Sequence, residues 1–297
     1  MSDRLFPGFR TLAVSVEGSM VHLRTGGRGP PLLLLHGYPQ THVLWHKVAP
    51  ILADHFTIVA ADLRGYGDSA KPEGGGDHSA YSKRAMANDL VAAMSALGHD
   101  RFVVGSHDRD ARVAHRMAID HPDKVLKLAT LDIAPTREMY RDTTDAFARA
   151  YWHWFYLITP APFPERMIGA DPDAWWLKKC GSGSAGLTPF APDALAEYLR
   201  CFRDPATIHA SCEDYRAAAT IDIVHDDADG ARKMAQPLLA LWGEHGAVNA
   251  CFDVLALWRE RAADVRGHTL PGGHYLAEEL PDQVAAAFLS FFSGDRS

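Results

Sequence analysis

Short apolar runs alternate along the chain with longer segments whose apolar residues recur at helical spacing. Five runs predict strands buried on both faces of a sheet, at 30–37, 56–63, 101–108, 125–135 and 237–244. The segments 82–98 and 111–122 predict helices, and a glycine or proline closes each of them. Because strands alternate with helices, we expect an α/β fold with a mostly parallel sheet flanked by helices. Catalytic side chains should then lie at the carboxyl ends of the strands.

The segment from 136 to 230 departs from this alternation. It offers no convincing buried strand, and it is dense in prolines and in aromatic residues, as in YWHWFY at 151–156. We expect residues 136–230 to form a helical cap inserted into the α/β part of the chain, and we call them the cap. Residues 1–135 and 231–297 then make up the core, whose pattern resumes at Pro237.

The composition is typical of a globular protein. The chain has 297 residues, of which 47% are hydrophobic and 23% charged, and its formal net charge is −7. This acidic balance gives no global field that would attract nucleic acid or an anionic membrane. An anionic substrate would have to be attracted by a few local arginines. No apolar stretch approaches the roughly 20 residues that cross a bilayer, and the start lacks the apolar core of a signal peptide.

The cysteines point to a reduced protein. Cys180, Cys201, Cys212 and Cys251 form no CxxC pair and show no metal-ligand spacing. We therefore expect a cytoplasmic protein that uses no metal and no other cofactor.

The segment GSHDR at 105–109 follows a predicted strand and leads into a predicted helix. This pattern of a nucleophile between small residues is typical of the nucleophile elbow of α/β hydrolases, with Asp108 at the tip. The helix N-terminus would stabilise its charge. The alternative is that Asp108 only caps the helix, which aspartate does well. A serine esterase is disfavoured because Ser106 lies two residues before the tip.

Two backbone amides are candidates for an oxyanion hole. HGYP at 36–39 follows the first strongly buried strand. In this fold the corresponding loop supplies one N–H, here that of Tyr38, and the residue after the nucleophile, Arg109, supplies the second.

The candidate base is His274, in the glycine-rich loop after a last strand candidate at 263–270. Its orienting acid should be Asp132, at the end of the strand LATLDIAP. Many such hydrolases carry this acid after a later strand, but Gly246 stands there in this chain. Glu244 is the fallback for that role.

Arg109 and Arg112 follow the nucleophile by one and four residues. The second spacing puts Arg112 one helical turn beyond Asp108 on the same face. Because arginine binds carboxylates in a bidentate way, the pair favours a small carboxylate substrate. Ordinary surface ion pairs are the alternative.

With these residues assembled, the chain resembles the fluoroacetate and haloacetate dehalogenases, an Asp-nucleophile branch of the α/β-hydrolase superfamily. The resemblance runs essentially from end to end. The segments that carry it are LLLLHGYPQTH (32–42), HDRDAR (107–112), LDIAPT (131–136), AYWHWFYLITPAPFPE (150–165), CEDYRA (212–217) and LPGGHYL (270–276).

The resemblance implies a reaction on a small 2-haloacid. Asp108 would displace the halide and form an ester, and His274, oriented by Asp132, would activate the water that hydrolyses it. Arg109 and Arg112 would bind the substrate carboxylate. The family match also assigns the leaving halide to donors from His153, Trp154 and Tyr215, and it implies a homodimer.

Two positions depart from the family pattern. Asp110 stands where relatives have glycine, so we expect it to crowd the neighbouring strand or strain the elbow, and to repel an anionic substrate unless Arg109, Arg112 or His107 neutralises it. Gly183 stands where relatives often have tryptophan, which predicts a roomier pocket that favours chloroacetate, bromoacetate or larger 2-haloacids over fluoroacetate.

Two alternatives from other classes remain open. Soluble epoxide hydrolases share the aspartate nucleophile, the histidine base and the HGxP loop, but they need paired cap tyrosines and usually an aromatic residue where Arg109 stands. The second alternative is a weakly active hydrolase-fold protein that is impaired by Asp110.

Overall fold

The computed structural model describes residues 4–183 and 185–294. Eight strands form one sheet in the order β1-β2-β4-β3-β5-β6-β7-β8. They are β1 (Arg10–Val16), β2 (Ser19–Gly27), β3 (Pro31–Leu35), β4 (Thr57–Ala61), β5 (Phe102–His107), β6 (Val125–Leu131), β7 (Leu238–Gly243) and β8 (Val265–Leu270).

The sheet is parallel from β4 through β8, and β2 is antiparallel to both of its neighbours. The predicted strands are confirmed as β3 to β8. The sequence pattern missed β1 and β2 because their residues do not form continuous apolar runs. β1 lies at the edge of the sheet, and its residues are exposed or half-buried throughout.

The helices, in chain order, connect and cover these strands. They are α1 (Ala49–Leu52), α2 (Lys83–Ala96), α3 (Arg109–Asp120), α4 (Thr136–Arg141), α5 (Asp145–Ala150), α6 (Trp152–Leu157), α7 (Phe163–Ala170), α8 (Pro172–Gly181), α9 (Pro192–Phe202), α10 (Pro205–Ala219), α11 (Ile221–Asp229), α12 (Ala247–Cys251), α13 (Val254–Arg261), α14 (Leu276–Glu279) and α15 (Pro281–Ser293). Short 3-10 turns occupy His42–Trp45 and Ser79–Tyr81. The two predicted helices are confirmed as α2 and α3.

The cap enters the chain between β6 and β7 and contributes α4 to α11. Its described residues contain helices and turns without a strand. No helix in the described part of the chain is long and apolar enough to cross a membrane.

The central strands bury both faces, and close packing fixes their ends. β5 is buried at every residue. At Gly105 a Cβ would come within 2.5 Å of the Phe288 ring of α15, so glycine lets that helix pack directly on the strand. The carboxyl ends of β5, β6, β7 and β8 meet at one edge of the sheet, as expected for parallel strands.

Gly243 at the end of β7 holds two backbone segments together. A Cβ on it would lie 2.0 Å from the Gly273 carbonyl oxygen and 2.7 Å from that of Gly272. Its N–H also donates to Asp132 Oδ1 at 2.9 Å. The loop before His274 therefore packs directly on the backbone of Gly243. A larger residue at position 243 would push this loop away from the sheet.

We predict that Gly243→Ala destabilises the protein by about 1–3 kcal/mol, because the added methyl group meets backbone atoms that move only at the expense of neighbouring hydrogen bonds. Urea unfolding measures the effect. Gly169→Ala is the matched control, since a Cβ at this exposed position of α7 meets no atom within 4 Å. It should gain roughly 0.5–1 kcal/mol from the helix preference of alanine. Equal stability of Gly243→Ala and the parent would contradict this account.

Candidate active site

Asp108 occupies the sharp turn between β5 and α3. Its backbone has φ 48° and ψ −127°, a conformation that side-chain-bearing residues rarely adopt and that is held at functional sites by the surrounding structure. The residue is 3% exposed, and its side chain makes no capping hydrogen bond to α3. A simple helix-capping role therefore lacks the hydrogen bond that defines it.

The loop that contains Tyr38 lies against this turn. A Cβ at Gly37 would be 2.6 Å from the Cβ of Asp108. The Tyr38 amide follows directly, and Arg109 begins α3, where the first N–H groups have no acceptor inside the helix. Both amides expected to form the oxyanion hole thus lie in segments next to the nucleophile.

His274 is brought between the other two members of the predicted triad. Its Nδ1 donates to Asp132 Oδ2 at 2.6 Å, and its Nε2 lies 4.0 Å from Asp108 Oδ2. The Nε2 atom is buried without a hydrogen-bond partner among the described residues. Because Nδ1 carries the proton that it donates to Asp132, Nε2 is the basic nitrogen of the ring, and it faces the nucleophile.

Asp132 is also held in an unusual conformation, with φ 50° at the end of β6. A Cβ at Gly246 would lie only 3.1 Å from Asp132 Oδ1. An acid at position 246 would therefore reach the same region as Asp132. Glu244, the fallback, has an exposed side chain.

Two side chains support the loop that carries His274, and the sequence pattern did not indicate this role for either of them. His107 Nε2 donates to the backbone carbonyl of His274 at 2.8 Å. The Glu279 carboxylate accepts hydrogen bonds from the N–H groups of Gly273 and Tyr275, at 2.7 and 2.9 Å. Both side chains form hydrogen bonds with backbone groups of the loop that contains His274. Such contacts depend on the fold, so the residues around His107 and Glu279 in the sequence do not predict them.

Arg112 is a buried cation without an acidic partner. Its exposure is 2%, and its Nε and Nη2 contact only the Ala134 carbonyl at 3.4 Å and the Met139 sulfur at 3.1 Å. Cζ lies 4.2 Å from the centre of the Trp154 ring, and Nη1 has no partner in the described chain. Burial lowers the pKa of Arg112 to about 10, so the guanidinium remains charged at neutral pH. Such a site suits a small anion.

Arg109 is held differently. Its Nε and Nη2 bind the Asp214 carboxylate at 2.9 and 3.2 Å, and Cζ lies 3.6 Å from the centre of the Tyr215 ring. Asp214 also binds Lys83 and the Tyr66 hydroxyl. Arg109 is therefore held in a buried ion pair, and within the described structure only its Nη1 lacks a partner.

The three expected halide donors lie buried in the cap. His153 Nδ1, Trp154 Nε1 and the Tyr215 hydroxyl all lack hydrogen-bond partners within residues 4–183 and 185–294. Burial lowers the pKa of His153 and raises that of Tyr215, so both are neutral and the hydroxyl keeps its proton. Unpaired buried donors are unfavourable and point to an acceptor supplied by a ligand.

Asp110 does not strain the elbow. It is the second residue of α3 and is absent from the residues with positive φ, so the expected backbone strain is wrong. The side chain is 2% exposed, with Oδ2 3.6 Å from His36 Nδ1. Burial raises the pKa of Asp110 well above its usual range and so favours the uncharged carboxyl group. Burial therefore reduces the expected charge, and His107 does not supply a neutralising charge, because burial lowers the pKa of His107 to about 3.

A cavity of about 500 Å³ opens beside the triad. Its lining residues are Arg149, Ala150, Tyr151, Trp152, His153, Lys178, Lys179, Ser182, Gly183, His245, Gly246, Ala247, Ala250, His274 and Tyr275. The atom nearest to a Cβ built on Gly183 is the Cys180 carbonyl oxygen, 4.0 Å away. Position 183 thus leaves open space in the cavity wall.

One other polar cluster has the composition of a metal site. The Asp62 carboxylate lies 2.9 Å from Nδ1 of both His22 and His42. It also accepts N–H bonds from His42 at 2.8 Å and from Asp68 at 3.1 Å. These donors fill the hydrogen-bonding capacity of the Asp62 carboxylate. The cluster therefore holds the chain in place after the HGYP loop and does not require an ion.

Ser106 is placed where it cannot act as the nucleophile. It is fully buried within β5, and its hydroxyl donates to the Ala129 carbonyl at 3.0 Å. The four cysteines are free, and Cys180, Cys201 and Cys212 are buried.

Comparisons with known proteins agree with this geometry. The family model of the alpha/beta hydrolase fold matches residues 30–281. A fluoroacetate dehalogenase from Burkholderia sp. is 47% identical over 99% of this chain and 97% of its own length. A soluble epoxide hydrolase from Corynebacterium sp. (strain C12) is 33% identical over 94% of this chain and 95% of its own.

A solved structure from Nostoc sp. PCC 7120, described as an α/β hydrolase, superimposes with a TM-score of 0.93 at 54% identity. The superposition covers 97% of this chain and 99% of that one. The chain therefore belongs to the α/β-hydrolase superfamily, in the same family as fluoroacetate dehalogenase, among the hydrolases that act on carbon–halide bonds.

Proposed function

We propose that the chain hydrolyses small 2-haloacids, converting a haloacetate to glycolate and a halide ion. The observation that carries this proposal is Arg112, a buried guanidinium without an acidic partner one helical turn beyond Asp108. A carboxylate substrate supplies the missing negative charge. The similarity to fluoroacetate dehalogenase supports the same substrate class.

In the first step Asp108 attacks the carbon that bears the halogen. The substrate carboxylate is held by Arg112 and by the free Nη1 of Arg109, and the halide leaves with its bonding electron pair. His153, Trp154 and Tyr215 donate hydrogen bonds to the departing halide. Fluoride is a poor leaving group, so buried donors with no competing acceptor are most valuable for it.

In the second step the ester on Asp108 is hydrolysed. His274 Nε2 removes a proton from water, whose oxygen attacks the ester carbonyl carbon. The N–H groups of Tyr38 and Arg109 stabilise the oxyanion, and its collapse releases glycolate. A serine nucleophile would form an ether that water cleaves poorly, which explains the aspartate.

The protonation state of Asp108 suits attack. Burial alone would raise its pKa, but electrostatic interactions with neighbouring groups, foremost His274 and then His107, outweigh burial and hold the pKa of Asp108 below its usual value. The nucleophile is therefore ionised at neutral pH, whereas burial shifts the pKa of Asp110 in the opposite direction.

An epoxide hydrolase is the second candidate, supported by the Corynebacterium relative. Tyr151 and Tyr215 are cap tyrosines near the triad, and the Tyr151 hydroxyl lies 3.4 Å from His274 Nδ1. A neutral epoxide, however, leaves Arg112 without a counter-charge. Comparing styrene oxide with chloroacetate as substrates separates the two functions.

Two finer features belong to the same proposal. The open wall at Gly183 favours chloroacetate, bromoacetate or larger 2-haloacids over fluoroacetate. The family resemblance also implies a cytoplasmic homodimer. Three large apolar side chains of the cap, Trp152, Phe163 and Met167, are exposed and offer a surface that a second copy could cover.

We predict that His274→Gln accumulates a glycolyl ester on Asp108 when it is incubated with chloroacetate. The displacement step does not need the base, whereas hydrolysis does. Intact-protein and peptide mass spectrometry locate the adduct, and halide release is followed with fluoro-, chloro- and bromoacetate. Asp108→Ala is the control that should show neither adduct nor halide release. Undiminished halide release by Asp108→Ala would refute the proposed nucleophile. If the parent itself releases no halide, the chain would be a hydrolase-fold protein without this activity.

Asp110→Gly should raise kcat/KM for chloroacetate, and the gain should increase with pH. The reason is that the ionised fraction of Asp110, which repels the substrate, grows as the pH rises toward its raised pKa. Halide-release kinetics between pH 6 and pH 9 measure the effect. Identical kcat and KM in the two proteins over this range would count against the prediction.

Unfolding gives an independent measurement of the same carboxyl group. Above about pH 4 an aspartate is ionised in the unfolded chain, whereas Asp110 stays protonated when folded, so the stability of the parent falls as pH rises toward the folded pKa. Asp110→Asn lacks this dependence. Its advantage in unfolding free energy should grow, by up to about 1.4 kcal/mol per pH unit, from about pH 4 up to the raised pKa of Asp110. A constant difference would show that Asp110 is ionised in the folded protein.

A further inference from the structure

The cavity beside His153 and His274 is lined by charge of one sign. Its charged side chains are Arg149, Lys178 and Lys179, and no carboxylate is found among the described residues that line it. The chain as a whole has a formal charge of −7. We call Arg149, Lys178, Lys179 and His245 the basic vestibule. A basic wall in an acidic protein concentrates anions at that place.

Within the basic vestibule, Lys179 is the cation that lies near the reacting groups and lacks an acidic partner among the described residues. It is half-buried, and its Nζ lies 3.4 Å from the Tyr275 hydroxyl and 5.8 Å from the centre of that ring. It forms no ion pair with any described carboxylate, whereas Arg149 pairs with Asp145 at 2.8 Å. After burial, the charge of Lys179 is the next cause of the lowered pKa of His153.

The cavity is much larger than a haloacetate requires. Its volume of about 500 Å³ falls in the range of roughly 300–1,000 Å³ found for pockets that hold drug-sized ligands. Several lining residues are small, among them Ala150, Ser182, Gly183 and Ala247. The cavity wall includes both Lys179 and His274, and His274 Nε2 lies 4.0 Å from Asp108. A longer chain on the reacting carbon would therefore leave Asp108 beside His274 and enter the cavity toward Lys179.

We infer that the basic vestibule binds a second carboxylate, and that 2-halodicarboxylic acids are better substrates than 2-halomonocarboxylic acids of equal length. The inference rests on the proposed function. Arg112 holds the carboxylate on the reacting carbon, and Lys179 binds the distal one. Asp108 displaces the halide with its bonding electron pair, and water then cleaves the ester. The products are a 2-hydroxydicarboxylate, one halide ion and one proton.

The test compares 2-bromoadipate with 2-bromohexanoate, which have the same chain length and differ in the distal carboxylate. Bromide release gives kcat/KM for each. In the parent the diacid should be preferred by about tenfold or more, the value of one charge-assisted hydrogen bond. Lys179→Met keeps the length of the side chain and removes its charge. It should lose most of this preference, through a higher KM for the diacid, and should change bromohexanoate turnover far less.

Lys124→Met is the matched control. Lys124 is a lysine outside the vestibule that pairs with Asp100 at 3.2 Å, so its removal should leave the ratio of the two substrates unchanged. Urea unfolding of both variants checks that each is folded.

Bromoacetate is measured in the same assay, so that a failure of the proposed function can be distinguished from a failure of the second carboxylate site. If the parent does not release bromide from bromoacetate, the proposed function fails and the inference fails with it. If bromoacetate is hydrolysed but the two six-carbon acids have equal kcat/KM, only the second carboxylate site is refuted. An equal loss for both acids in Lys179→Met would also refute it, because it would show general attraction of anions.

Discussion

The buried positive charge of Arg112 sets the strongest physical constraint on this molecule. Removing a guanidinium from water is unfavourable unless other groups replace its hydration. The Trp154 ring, the Met139 sulfur and the Ala134 carbonyl replace only part of it, and no described carboxylate does so. Under the proposed function, the carboxylate of the substrate supplies the missing counter-charge.

The same constraint separates the two arginines that follow Asp108. Asp214 neutralises Arg109, with Lys83 and Tyr66 completing that network. Arg109 is consequently a rigid support with one free nitrogen, and Arg112 carries the unbalanced charge. The triad is placed by backbone features: positive φ at Asp108 and at Asp132, and close approaches at glycines that leave no room for side chains.

Much of the core was predictable because buried parallel strands produce continuous apolar runs. The expected positions of Asp108, Asp132 and His274 followed from strand ends. The structure brings the three side chains together, with His274 hydrogen-bonded to Asp132 and 4.0 Å from Asp108. The antiparallel strands β1 and β2 were missed since their residues are only partly buried. The raised pKa of Asp110 and the Arg109–Asp214 pair were also missed. Both depend on contacts or burial that form only on folding, so neither has a local sequence signal.

The central claim is that Arg112 exists to bind the carboxylate of the substrate. The most direct test is the ratio of kcat/KM for chloroacetate to that for chloroacetamide, a neutral molecule of nearly the same shape, in the parent and in Arg112→Met. We expect the ratio to fall by about two orders of magnitude in the variant, as for a buried charge pair that loses one partner. An unchanged ratio would contradict the claim, since it would show that another group recognises the carboxylate.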